Sequence, residues 1–174
     1  MKFVERFVRK AQKGDKDAFL RLMDEYQLPM YRTAKAILQN EDDVEDAVQE
    51  AVYRAFYKIS SIRQPKFFKT WLTRVVINCS YDLLRQRQGL LPLEVLPEEG
   101  REEDNDTPLD VRAALAALSE NDQLVLTLYY LNDLPVKEIA KLLSISEGAA
   151  KMRLSHGRKK FREVYLAGQA EGGL

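Results

Sequence analysis

Apolar residues recur at intervals of three and four along most of the chain, and no run alternates at the two-residue period of a strand. A chain patterned this way buries its apolar surface by packing helix stripes against one another, so the expected fold is all-α. Phe3, Val4, Phe7, Val8 and Ala11 form a first stripe that stops at Gly14, and Asp17 is a candidate cap for a second, with Phe19, Leu22, Met23 and Tyr26. Pro29 is expected to kink or break that second helix, after which Tyr31, Ala34, Ile37 and Leu38 resume the period as far as Gln39 and Asn40. A third helix, capped by Asp42 or Asp43, should bury Val44, Ala47, Val48, Ala51, Val52 and Phe56 and expose Glu45, Asp46, Gln49 and Glu50. Past a loop containing Pro65, the positions Phe68, Trp71, Leu72, Val75, Val76, Cys79, Leu83 and Leu84 mark a long helix with basic ends. Trp71 lies in this stripe and is expected in the core.

The pattern lapses in GLLPLEVLPEEGREEDNDTP, where three prolines, two glycines and a dense acidic run leave too few apolar residues for a packed element. This stretch reads as a flexible acidic linker. A second block follows, with Leu109, Val111, Leu115 and Leu118 on one helix and Ser119 or Asn121 as cap of the next. Then Val136, Ile139, Ala140 and Leu143 face inward from a short helix, Ile145 plugs a turn, and Ser146 can cap a helix opening at Glu147. Helix, short turn, helix is the arrangement that carries a helix into the major groove.

Charge sharpens that expectation. The chain has 27 basic and 27 acidic residues, yet six basic side chains and no acid fall between Lys151 and Arg162. An anionic partner is therefore met locally, not by a generally basic surface. Lys151, Met152, Arg153, Ser155 and His156 can face base edges, and Arg158 and Lys159 phosphates. Gly157 inside this helix is unfavourable by about 1 kcal/mol relative to alanine, a cost that close packing or close DNA approach would offset. One cysteine, Cys79, and one histidine, His156, supply no zinc set and no nucleophile–base pair, so no enzyme, metal site or cofactor is expected. No apolar run reaches the roughly 18 residues of a membrane span, and the start lacks a signal-peptide core, which points to the cytoplasm.

Four stretches in this order, DDVEDAVQEAVYRAFYKI, KFFKTWLTRVVINCSYDLLR, LSENDQLVLTLYYLNDLPVKEIAKLLSIS and EGAAKMRLSHGRKKFRE, resemble the extracytoplasmic function group of the sigma-70 family of bacterial sigma factors. The resemblance implies a sigma-2-like helical bundle over 1–88, a linker over 89–108, a sigma-4-like helix-turn-helix domain over 109–168 and a tail from 169. It also implies a sigma factor that directs core RNA polymerase to promoters in a stress or envelope response. Asp46, Gln49 and Glu50 would dock on the basic clamp helices of the largest polymerase subunit. Lys66, Lys69, Arg74, Asn78, Arg85 and Arg87 would hold the −10 element as it opens, with the loop from Ser60 to Lys66 capturing an unstacked base. The basic C-terminal helix would read the −35 duplex, the flap of the second-largest subunit would be a further contact, and an anti-sigma factor, often membrane-anchored, would hold the protein inactive. No dedicated homo-oligomer is expected. The alternative is an autonomous helix-turn-helix repressor, which would need a dimerising element that the sequence does not display.

Overall fold

The computed structural model describes residues 2–89 and 108–171, and these are helical throughout, without strands. The chain divides into two compact units, residues 1–99 and 100–174. All but the two ends of the expected linker, 89–108, lies outside the described residues.

The first unit is a four-helix bundle of α1 (Lys2–Gln12), α2 (Lys16–Lys35), α3 (Glu41–Lys58) and α4 (Phe68–Gln88). Gly14 turns the chain between α1 and α2 with φ of 93°, a left-handed conformation that glycine adopts without a Cβ clash. The cap of α2 is Asp15, whose carboxylate accepts from the amide of Ala18 at 2.9 Å; Asp17 sits inside the first turn. Pro29 does not break the helix. Its ring removes one backbone donor, but Leu22, Met23, Met30 and Ala34 on either side of it are buried against the other helices, and that burial outweighs one lost hydrogen bond. The cap of α3 is Asn40, which accepts from the amide of Asp43 at 3.2 Å, so Asp42 and Asp43 lie within the helix, where their charge favours the positive end of its dipole.

Val8, Leu22, Val44, Phe68, Leu72 and Val76 fill the centre, each at most 2% exposed. Of the expected stripe positions, Phe3, 55% exposed, and Phe56 face outward instead. Phe56 is 42% exposed, packed edge-on to Phe19 and Tyr57, while Ala47, Ala51 and Ala55 form the buried line of α3. Trp71 is half-buried, its ring 6.0 Å from that of Phe68.

The second unit holds α5 (Leu109–Ala116), α6 (Glu120–Leu126), α7 (Val136–Leu142) and α8 (Glu147–Glu171). Ser119 caps α6 at the amide of Asp122, and α6 widens at its end into a π-helical turn, Thr127–Leu131. Leu109, expected inside, is 72% exposed, and Ala114 on α5 and Leu118 just beyond its end are buried instead. The α5 helix lies on the far part of α8, where Asp110 receives a hydrogen bond from Gln169 at 2.9 Å and another from Tyr165. The expected tail from 169 is helical as far as Glu171.

Candidate polymerase and nucleic-acid interfaces

Asp46, Gln49 and Glu50 all stand exposed on α3, as the helical period requires. They edge a groove of about 620 Å³ between α3 and α4. Glu50 accepts from Arg54 at 2.7 Å, and Arg54 reaches across to Asp82 of α4 at 2.9 Å, which Arg85 meets at 2.5 Å. Hydrogen bonds from Arg54 and Arg85 hold the Asp82 carboxyl below the usual carboxylate range. Cys79 lines the same groove, 3% exposed, with burial pushing its thiol up to about 11, so it packs as an inert side chain. Asp46 and Gln49 thus remain open to a partner, while Glu50 is held in place by Arg54.

On the solvent side of α4, Phe67, Trp71, Arg74, Asn78, Tyr81 and Arg85 follow one another at spacings of four and three, forming a single stripe. The stripe alternates aromatic and polar or basic groups: Phe67 is 45% and Tyr81 37% exposed, and Lys66 lies over the Phe67 ring at 4.9 Å. Lys69 is only partly exposed at the side of this stripe. Arg87 is turned away from it to pair with Asp43 of α3, which ties the end of α4 to the start of its neighbour. The loop leading in is fixed from behind, because Gln12 of α1 donates to the carbonyls of Ile59 and Ile62 at 3.1 and 2.9 Å and both isoleucines are buried. Rings, amide and cations in line suit an unstacked strand, whose bases stack while its phosphates meet charge. Phe67, Trp71 and Tyr81 were not among the expected contacts; their registration with Arg74 and Asn78 is the sequence signal for them.

In the second unit the turn between α7 and α8 is closed by two backbone bonds, Ser144 to Lys141 at 3.4 Å and Ile145 to Ala140 at 3.0 Å, with Ser144 left-handed at φ of 54°. This pattern ends α7 sharply and redirects the chain. Ser146 then caps α8 by accepting from the amide of Ala149 at 3.0 Å. Ala150, Leu154 and Gly157 form the buried line of α8. Lys151, Met152, Ser155, His156 and Lys159 are exposed, Met152 at 75%, and Arg153 is half-buried beside them. Arg158 bends toward the Tyr130 hydroxyl at 3.3 Å, at the rim of an apolar groove of about 450 Å³ formed with Leu115, Leu126 and Phe161. Gly157 sits where α8 crosses α6: a Cβ there would meet Leu126 at 3.1 Å and Asp122 at 3.4 Å, so close packing accounts for this glycine.

Comparison with known proteins meets this geometry at both units. The family model for sigma-70 region 2 matches residues 22–89, and that for sigma-70 region 4 matches 109–161, together more than two thirds of the chain. The ECF RNA polymerase sigma factor SigW of Bacillus subtilis is 29% identical over 92% of this chain and 95% of its own length. The ECF RNA polymerase sigma factor SigM of Mycobacterium tuberculosis is 27% identical over 87% of this chain and 79% of its own. Among solved structures, CnrH in complex with the cytosolic domain of CnrY aligns over 95% of this chain and 98% of its own, with a TM-score of 0.69 at 22% identity. The sigma factor RpoE of Bartonella quintana, in complex with the anti-sigma factor NepR, aligns over 83% of this chain and 96% of its own, with a TM-score of 0.64 at 22% identity. At that identity the two structures speak for the fold alone, whereas the ordered pair of family models and the full-length relatives speak for descent: the chain belongs to the sigma-70 family, in its extracytoplasmic function group.

Proposed function

We propose that this chain is the promoter-specificity subunit of a bacterial RNA polymerase, with α3 as its polymerase-docking face, the α4 stripe as its strand-opening surface and α8 as its −35 reader. The observation that carries the reading is the presence, in family order on one chain, of a region 2 unit and a region 4 unit, each offering its own surface. The division of labour follows from chemistry. Acids on α3 suit the arginines of a clamp helix, and charge complementarity steers docking and fixes its register. Aromatic and basic groups on α4 suit separated bases, and an exposed basic helix behind a tight turn suits duplex. The polymerase supplies the bond-making.

An anti-sigma polypeptide is the expected regulator, in keeping with the anti-sigma factor NepR bound to the structurally similar RpoE, and a membrane-anchored one would confine the chain to the inner surface of the membrane. No helix among the described residues is long and apolar enough to cross a membrane itself.

The test is reconstitution with core polymerase. The double variant Asp46→Lys, Glu50→Lys places like charges against the clamp, and losing paired interfacial charges costs about 2–5 kcal/mol, so holoenzyme formation and promoter-dependent transcripts should both collapse. Folding should change by less than about 0.5 kcal/mol, as surface substitutions usually do, since Arg54 keeps its bond to Asp82. Normal assembly by the double variant would overturn the docking face. An unaltered chain that bound duplex but never core polymerase would replace the sigma reading with that of a repressor.

A further inference from the structure

One buried carboxylate has no part in the surfaces above. Asp122, in the first turn of α6, is 6% exposed, and its Oδ2 lies 2.7 Å from Nδ1 of His156, whose side chain is 72% exposed. The close crossing at Gly157 brings the two helices near enough for this contact, because Cβ of Asp122 is itself one of the atoms an added methyl at 157 would meet.

We propose that Asp122 is a positioning residue for promoter reading: it holds His156 with Nδ1 turned into the protein and Nε2 presented outward as a hydrogen-bond acceptor for an exocyclic amino group, N6 of adenine or N4 of cytosine. This rests on the assignment of α8 to the −35 groove. An ionised carboxylate only accepts, so the hydrogen between the two groups belongs to Nδ1. A neutral imidazole has one N–H and one lone pair, and fixing the first at Nδ1 fixes the second at Nε2. In the major groove adenine and cytosine display amino donors, while guanine and thymine display carbonyl acceptors at the corresponding edge. An acceptor aimed there favours the first pair and repels the second. Without Asp122 the ring is free to turn and to carry its proton on either nitrogen, and that discrimination fades. A carboxylate removed from water is costly unless it is hydrogen-bonded, so the pairing is firmly maintained.

His156 is the only histidine in the chain, which makes the test direct. In the full-length protein labelled with ¹⁵N-histidine, at mildly alkaline pH where a histidine ring is ordinarily neutral, two-bond ring correlations should show a protonated Nδ1 and a bare Nε2. Asp122→Ala should give a mixture with protonated Nε2 prominent. A protonated Nε2 in the unaltered chain would overturn the proposal outright. In the holoenzyme, selection from promoters randomised at −35 should show His156→Ala and Asp122→Ala losing preference at the same one or two base positions, by about three- to tenfold, the worth of one hydrogen bond. Preference at the positions read by Lys151 should survive. If Asp122→Ala weakened every promoter alike, Asp122 would be only a fastener of α6 to α8. Should Asp122→Ala fold poorly, Asp122→Asn keeps the shape but can donate as well as accept, and should show the mixed tautomer with a partial loss of preference; the unaltered tautomer and full preference in that variant would refute the idea. A holoenzyme that selected no promoter would overturn the −35 assignment, while the ring spectrum would still decide the geometry.

Discussion

Replacing Gly157 by alanine tests the close crossing of α8 over α6 in the second unit. Two effects oppose one another. Alanine in a helix interior is favoured over glycine by about 1 kcal/mol. Against this, the added carbon would lie 3.1 and 3.2 Å from Cδ1 and Cγ of Leu126, well inside the roughly 3.5–4.0 Å of an ordinary carbon contact. Overpacking of this kind costs about 1–3 kcal/mol, and Leu126, 4% exposed and held within α6, has to move at its branch point and not merely at its tip. The net expectation is a loss of about 1 kcal/mol, or roughly 4–8 °C in the melting temperature of a unit this small. The assay separates the units without dissecting the chain. Trp71 is the only tryptophan and belongs to the first unit, so its emission follows that unit, while circular dichroism follows both. The loss should appear in circular dichroism and leave the Trp71 transition in place. In a Leu126→Ala background, where the clash is relieved, Gly157→Ala should instead become neutral or stabilising, a coupling of about 1–3 kcal/mol. A Gly157→Ala chain that melted higher than the original in the presence of Leu126 would refute the packing explanation and return the glycine to DNA approach.

On duplexes, Lys151→Ala and Arg153→Ala should lower the preference among −35 sequences by about 1–3 kcal/mol per base contact, whereas Lys159→Ala should weaken all sequences alike and flatten the salt dependence; equal, uniform losses from all three would erase the distinction between reading and phosphate contact. Trp71→Ala and Tyr81→Ala should each cost about 1–3 kcal/mol in binding of single-stranded −10 sequence with little change on duplex, measured by fluorescence anisotropy of labelled DNA. Asp82 governs an acid response. Its carboxyl is held below the usual range by Arg54 and Arg85, so the stability it contributes is present above its unfolded value, near about 4, and is lost as pH falls through the lower folded value. Asp82→Asn should therefore flatten the acid limb of the first unit's stability curve, followed by Trp71 emission, and an unchanged acid limb would show that the ion pairs carry no stability.

The helices were legible because their apolar period is strong, and the positions at which the reading slipped have identifiable causes. Asn40 and Asp15 took the capping roles assigned to Asp42 or Asp43 and to Asp17, since several short polar side chains stand in a row and only backbone geometry distinguishes them. Pro29 reads as a breaker in isolation, but local propensity yields to burial on both sides of it. Phe56 and Leu109 are large and apolar at the right period, yet Ala55 beside Phe56 and Ala114 on α5 take the buried positions of their helices. The turn between α7 and α8 and the basic run beyond it were legible in the sequence, but the contact between Asp122 and His156 spans 34 residues and no pattern along the chain announces it. Arg87, expected at DNA, is paired with Asp43 across 44 residues for the same reason.

The clasp between Asp110 and the end of α8 has a mechanical consequence. With only eight residues, α5 is too short to persist as a helix by itself, and its partners are Tyr165 and Gln169, near the opposite terminus of the unit. The first and last segments of the unit therefore hold one another, closing it into a ring. Tension applied along the chain entering at Pro108 would load the last turns of α8 before it reached the turn between α7 and α8. In a single-molecule stretching experiment, removal of the residues from Gln169 onward should let α5 peel at low force, with the N-terminal turns of α8 still folded.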